Sequence, residues 1–166
     1  MIASLKMTQA LLAAIRADLD RRHAFAHERV GFISAGISGV GDDILILPRA
    51  YMPVADEDYL HDPSVGAMMG PDAIRKALEW CMRQGHVMLH VHTHGGKGVP
   101  GFSAVDIREY VKFIPDFFKV TPQSAHGALV LSHDAARGQL WLDRKTQMPI
   151  ESFVEVGASL RKWGTK

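Results

Sequence analysis

Cysteine is almost missing from this chain. The single Cys81 excludes any disulfide within the chain and points to a reducing, cytoplasmic setting. It sits in an amphipathic stretch and reads as a small buried apolar residue rather than a nucleophile. Long apolar runs are missing as well: nothing approaches the ~20 residues of a membrane span. The N-terminal run Leu11 to Ile15 meets Arg16, Asp18 and Asp20 at once, without a small-residue cleavage pattern, so no signal peptide is expected. Charge of one sign is the third absence. With 19 Lys and Arg against 18 Asp and Glu, the formal net charge is +1, which leaves no global field to attract nucleic acid or a membrane surface. Repeats and low-complexity segments are absent too. What remains is an ordinary globular composition, 47% apolar and 22% charged over 166 residues, and a single domain over residues 1–166 is expected.

What the chain does have is histidine in a pattern. His86, His90, His92 and His94 all fall on even positions, so on an extended backbone they share one face while Val87, Leu89 and Val91 take the other. Two imidazoles at i and i+2 can converge on one ion. A loop rich in glycine follows, and beyond it Ser103 and Asp106, a carboxylate able to complete a His/His/Asp set with one coordination position left open, as in catalytic rather than structural zinc sites. The plain alternative is that Ser103 to Asp106 is a helix capping box, with serine at the cap and an acid three residues on. The two readings are compatible, because a helix starting at Ser103 would direct its first turn at the same site.

In chain order, residues 8–21 predict a helix with Leu11, Leu12, Ile15 and Leu19 on its apolar stripe and Thr8 as cap. A buried strand over 30–38, a turn over 38–43 and a partner strand over 44–47 stopped by Pro48 predict a hairpin. Residues 49–70 read as irregular, with a solvated acidic group at Asp56, Glu57, Asp58 and Asp62. A helix is predicted from Gly70-Pro71-Asp72 to Gly85, with Ile74, Leu78 and Cys81 buried, then the histidine strand, then a loop over 95–101. A second helix is expected from Ser103 to about Ile114, burying Ile107, Val111 and Ile114. Residues 115–125 read as a second irregular segment with Phe117 and Phe118 as core. Three strands are expected around 127–132, 139–143 and 152–156, with a turn over 135–138, and Arg161 to Trp163 as a frayed terminus.

The order of these pieces resembles the JAMM (JAB1/MPN/MOV34) metalloprotease family, whose signature is an early glutamate, then H-[ST]-H, a short loop and S-x-x-D. Here His92-Thr93-His94 supplies the middle part and Ser103-Ala104-Val105-Asp106 the last, while Glu28 ahead of the apolar 30–38 stretch maps to the glutamate. The resemblance covers residues 27 to about 143. The loop before Ser103 is one residue longer than the commonest spacing, and Gly95 stands where a proline often follows the second histidine. Choosing His92 and His94 over His90 and His92 rests on Thr93 and the distance to Ser103, which leaves His90 as a supporting or core residue. Without the resemblance, nothing distinguishes Glu28 from Glu57, Glu79 or Glu109.

The resemblance implies an α/β JAB/MPN fold, a mixed curved sheet flanked by helices. It implies Zn2+ held by His92, His94 and Asp106, with Glu28 as general acid and base and Ser103 as oxyanion donor. It also implies an isopeptidase or peptidase that cuts after the C-terminal glycine of a ubiquitin-like protein, most like bacterial members that act with activating- and conjugating-enzyme-like proteins. The substrate's extended tail would lie in a narrow groove over the metal, bordered by 49–70 and 115–125, with the acidic group attracting basic residues upstream. Rival expectations are a non-catalytic MPN-type scaffold that binds partner proteins, or a zinc peptidase that processes a sulfur-carrier-like protein. A zinc deaminase would need H-x-E and P-C-x-x-C, which one cysteine excludes. A phosphoesterase with two metals would ask for more carboxylates.

Overall fold

A computed structural model describes residues 1–164. The elements in order are β1 (Ala3–Thr8), α1 (Gln9–Leu19), β2 (Val30–Val40), β3 (Asp43–Pro53), a 3-10 turn (Asp56–Asp58), α2 (Pro71–Gln84), β4 (Val87–Thr93), α3 (Ala104–Val120), β5 (His126–Leu131), β6 (Ala136–Trp141), β7 (Gln147–Val156) and β8 (Leu160–Trp163). The strands run in the order β1-β3-β2-β4-β5-β6-β7-β8, and β1 also pairs with β7. That last pairing closes seven strands into a barrel, with β8 added along β7.

The closure corrects the expected fold class. An open curved sheet between helices, the α/β JAB/MPN arrangement, is replaced by a closed, mostly β barrel with three helices among the described residues. The physical cause is β1, which lies parallel to both β3 and β7, with Leu5 opposite Ile46 on one side and Phe153 on the other. Closure satisfies the backbone of both would-be edges. Ala3, Leu5 and Met7 point inward and are fully buried, joining Ile33, Ile46, Val87, Leu89, Val91, Leu129, Leu140 and Phe153 in the interior cluster, against which α1 packs Leu12, Ile15 and Leu19.

A second cluster covers the outer face. There Phe32 of β2, Met88 of β4 and Ala128 of β5 meet Ala77 and Cys81 of α2 and Tyr110, Phe113 and Phe117 of α3. The histidine strand β4 therefore lies between two apolar layers, and its alternation assigns odd positions to the interior and even ones to the helices.

Several elements differ from expectation. β3 continues past Pro48 to Pro53, and the pairing jumps from Ser34↔Ala50 to Ala35↔Pro48, so Arg49 bulges; a bulge is where a sheet tolerates proline. α3 runs on to Val120 with Pro115 inside it, so 115–125 is not an irregular segment. Burial of Phe113, Ile114, Phe117 and Phe118 outweighs the ~3 kcal/mol that an interior proline costs. The helix is also rotated from the expected phase. Tyr110, Phe113 and Ile114 are buried, whereas Ile107 and Val111 are more than half exposed. The turn expected over 135–138 falls earlier, because β6 starts at Ala136. Arg161 to Trp163 are not frayed: Trp163 is buried on β8, its indole N–H donates to Glu155 Oε2 at 2.9 Å, and the Arg16 guanidinium lies 4.6 Å from the ring centroid.

Candidate metal centre

His92 is buried near the end of β4, and His94 stands one residue beyond it, where the backbone is still held by a bond from its N–H to Leu131 O at 2.9 Å. Both side chains leave the outer face of the barrel. The loop that follows turns through Gly96 and Gly98 at φ 95° and 83°, a region open to glycine but strained for other residues. It is tied to the turn between β5 and β6: Ser132 Oγ donates to Gly98 O at 2.6 Å and the Gly98 N–H donates to Asp134 Oδ1 at 2.7 Å. This fixes where α3 begins.

At that start the capping box is fully formed. The Asp106 N–H donates to Ser103 Oγ at 3.1 Å, and the Ser103 N–H donates to Asp106 Oδ2 at 2.7 Å. The cap orients the carboxylate, and its oxygens face the imidazoles. Asp106 Oδ1 lies 3.3 Å from His92 Nε2, Oδ2 lies 3.5 Å from His94 Nε2, and the two Nε2 atoms are 3.1 Å apart. Ligand atoms at zinc distances of about 2.0–2.2 Å in a tetrahedron stand ~3.3–3.5 Å from each other, so each of these pairwise spacings is of the size a tetrahedral divalent ion would need, with one Asp106 oxygen taking a vertex.

Glu28 supplies a fourth donor. One of its carboxylate oxygens lies within 4.8 Å of a ring nitrogen of both His92 and His94. Two sets of three donors thus share the histidine pair, one with Asp106 and one with Glu28. The Asp106 set has the tighter spacing and a carboxylate locked by its cap, whereas Glu28 forms no ion pair among the described residues. Asp106 would accordingly be the more firmly held donor and Glu28 the freer acid. Glu28 reaches the site because Gly66 leaves room for it: a Cβ on Gly66 would lie 2.5 Å from Glu28 Oε2.

The electrostatics of the cluster keep its acid ionised. Burial alone would raise the Asp106 carboxyl, but the adjacent His92 imidazole and the bonds from Ser103 outweigh it and hold the acid below the usual carboxylate range. Tyr110 Oη lies 3.4 Å from His92 Nδ1. Burial, followed by the charges of Asp106 and Glu28, pushes the phenol up, so it stays protonated. In the metal-free protein a proton on His92 Nε2 faces Asp106; with an ion bound, a proton on Nδ1 facing Tyr110 would free the Nε2 lone pair to coordinate.

The structure brings together all five expected site residues: His92, His94, Ser103 and Asp106, with Glu28 beside them, line one cavity of about 1020 Å³ between α2, α3 and the 60s loop. His90 and His86 take no part in the ligand set. His90 is buried among Phe32, Tyr110 and Phe113, with ring centroids 5.3–5.5 Å away, and both its nitrogens lack hydrogen-bond partners among the described residues. Burial, then the neighbouring His92, pushes its pKa down to about 3. His86 lies against Ser34 and Arg49.

Two expectations about the surroundings change. The cavity is not a narrow slot, since apolar side chains of both helices, such as Ile74 and Leu78 of α2 and Phe113 and Val120 of α3, line it broadly. The acidic group is half neutralised from within: Asp56 pairs with Arg29 at 2.7 Å and Asp58 with Lys76 at 2.5 Å. Sequence reasoning had missed Tyr110 and Gly66. Tyr110 had a readable signal, because it falls four residues after Asp106 and therefore on the same helical face. Gly66 had none.

No protein family matches the chain, and no curated protein matches it. Among solved structures the chain is similar to the Trichoplax adhaerens STIL N-terminal domain, at 12% identity, covering 82% of this chain and 41% of that one, with a TM-score of 0.40. It spans about two fifths of that structure's length. A likeness that slight carries no argument about fold or activity. Among the described residues, no helix is long and apolar enough to cross a membrane.

Proposed function

We propose that this chain is a zinc-dependent peptidase or isopeptidase that hydrolyses the bond after the C-terminal glycine of a ubiquitin-like protein. The observation that carries the hydrolytic part is the convergence of two imidazole nitrogens 3.1 Å apart with one carboxylate, whose two oxygens lie 3.3 Å from the first and 3.5 Å from the second, with the Glu28 carboxylate within 4.8 Å of both imidazoles. The ubiquitin-like substrate rests on the resemblance of these residues to the JAMM signature, a likeness of site rather than of fold.

His92, His94 and Asp106 would hold the ion. When bound there, zinc supplies a Lewis acid and brings the ionisation of a coordinated water close to neutral pH. The rest is the work of the chain. Glu28 takes a proton as general base and returns it to the leaving amine as general acid. The Ser103 oxygen accepts the cap bond, which leaves its hydroxyl hydrogen available for the substrate carbonyl oxygen as that atom gains charge. Tyr110 keeps the His92 ring in register, and the apolar walls of α2 and α3 exclude water from the cavity.

The test is twofold. Metal analysis of purified protein should find about one zinc per chain, and a ubiquitin-like fusion carrying Gly-Gly at its junction should be cleaved faster than the same fusion carrying Ala-Ala. Equal rates on both would remove the glycine preference while keeping the peptidase. No zinc and no cleavage would remove the whole reading.

A further inference from the structure

Glu28 stands in a stretch without helix or strand, residues 20–29 between α1 and β2, yet a proton-transfer group must be held to a fraction of an ångström. Regular hydrogen bonding cannot supply that precision here. The neighbouring residue can. Arg29 has a side chain only 2% exposed, and every nitrogen of its guanidinium is engaged. Nε donates to Arg21 O at 2.9 Å and Nη2 to Arg22 O at 2.9 Å, while Nη1 and Nη2 donate to the two oxygens of Asp56 at 2.7 and 3.1 Å. One side chain thus fastens the exit of α1 and the 3-10 turn after β3 to the residue adjoining Glu28. From the other side the His27 and Glu28 N–H groups both donate to Gly66 O, at 2.8 and 3.0 Å, and the Val30 N–H donates to Tyr59 Oη at 2.9 Å.

Stability is a poor reason for such a device. Burying a cation costs solvation that an apolar residue of similar size would avoid, and its partner Asp56 is 56% exposed, where ion pairs contribute little. What a guanidinium offers beyond an apolar filler is fixed, forked geometry. We propose that the Arg29–Asp56 clamp is the positioning element that holds the Glu28 carboxylate at the candidate metal centre; this rests on the reading of Glu28 as general base. Arg29 and Asp56 act through the backbone, as positioning residues.

Asp56→Asn breaks the clamp from its exposed side, and Arg29→Lys keeps the charge but loses the fork. In zinc-loaded protein, amide hydrogen exchange at His27 and Glu28 is expected to speed up by about tenfold or more in Asp56→Asn, with protection in β4 and β5 unchanged. Turnover should fall ~10–100-fold at unchanged zinc content and KM, and Asp56→Glu, which can still accept two bonds, should recover part of it. In a Glu28→Gln background the clamp substitution should cost nothing further, because a misplaced base and an absent base are equivalent. Unchanged exchange at His27 and Glu28 would overturn the proposal, and so would a clamp loss that adds in full on top of Glu28→Gln. A harmless Glu28→Gln would sink the base assignment and this proposal with it. A damaging Glu28→Gln beside harmless clamp variants would sink the clamp alone.

Discussion

The two halves of the candidate site are built by different means. The metal-ligand half comes from consecutive regular elements: β4 supplies His92, its continuation His94, and the first turn of α3 supplies Asp106. Barrel hydrogen bonds and a helix cap place these atoms, so ligand geometry is a by-product of forming secondary structure. The acid half, Glu28, comes from an irregular stretch held by the Arg29 side chain, Asp56, Tyr59 and the carbonyl of Gly66. A metal site tolerates little error in distance, and it sits on the rigid half. A proton-transferring carboxylate must be placed as closely, and it sits on the half whose position depends on side-chain bonds rather than on regular hydrogen bonding.

The strongest way to break this comparison is to remove a ligand. His94→Ala or Asp106→Ala should cut zinc from about one per chain to almost none and abolish turnover, since two donors hold the ion poorly; undiminished metal in both variants would refute the ligand set. Glu28→Gln should do the opposite, keeping zinc while losing ~10²–10⁴-fold in turnover, because an amide cannot carry the proton. If Glu28 is instead a fourth ligand, chelator competition will show zinc held more weakly in Glu28→Gln. Tyr110→Phe removes the hydroxyl 3.4 Å from His92 Nδ1, and a loss of ~10–100-fold in zinc affinity is expected, read by the same competition.

The same contrast explains what the sequence disclosed. Ligands on neighbouring regular elements leave a local pattern, so alternation and capping bring His90, His92, His94, Ser103 and Asp106 forward as candidates, and the choice of His92 and His94 among the histidines rests on Thr93 and the distance to Ser103. Glu28 could not, because its approach depends on Gly66 and on contacts with the residues around Asp56, all distant in the chain; only the family resemblance singled it out. The fold class was misread for a related reason. Closure depends on β1, whose inward Ala3, Leu5 and Met7 alternate with Ser4, Lys6 and Thr8, but six alternating residues do not by themselves say which two strands they lie between. The phase of α3 was misjudged because β-branched Ile107 and Val111 look like core residues, whereas the ring-bearing face of Tyr110, Phe113 and Phe117 had more area to bury.

Gly66→Ala sharpens the comparison from the acid side. The new methyl would stand 2.5 Å from Glu28 Oε2, and the carboxylate, as the flexible end of a long side chain, should move rather than the backbone. Turnover should drop by about tenfold, as expected when a reacting group is displaced by a fraction of an ångström, with zinc content and melting temperature little changed. A full loss of folded protein would show instead that the 60s loop is part of the core.

The smallest expected effect on turnover, none at all, belongs to the scaffold half. His126 on β5 is buried between Phe117 and Phe118. Its Nδ1 accepts the Met88 N–H of β4 at 3.2 Å, which forces the proton onto Nε2, 3.1 Å from Thr121 Oγ1 and 3.3 Å from Thr121 O at the end of α3. Burial pushes its pKa down from 6.5 to about 4. The folded state therefore resists a proton that the unfolded chain accepts. Above pH 6.5 both states are neutral and the contribution to stability is complete; as pH falls toward 4 the unfolded chain binds the proton first, and stability declines by at most about 3.5 kcal/mol, at ~1.4 kcal/mol for each pKa unit. Below about 4 both states are protonated and this group adds no further slope. His126→Asn keeps a side-chain acceptor for Met88 without a titrating ring, so denaturant unfolding of the metal-free protein between pH 4 and 7 should show a shallower decline in the variant. An identical decline in both proteins would mean that the acid sensitivity of the barrel arises elsewhere.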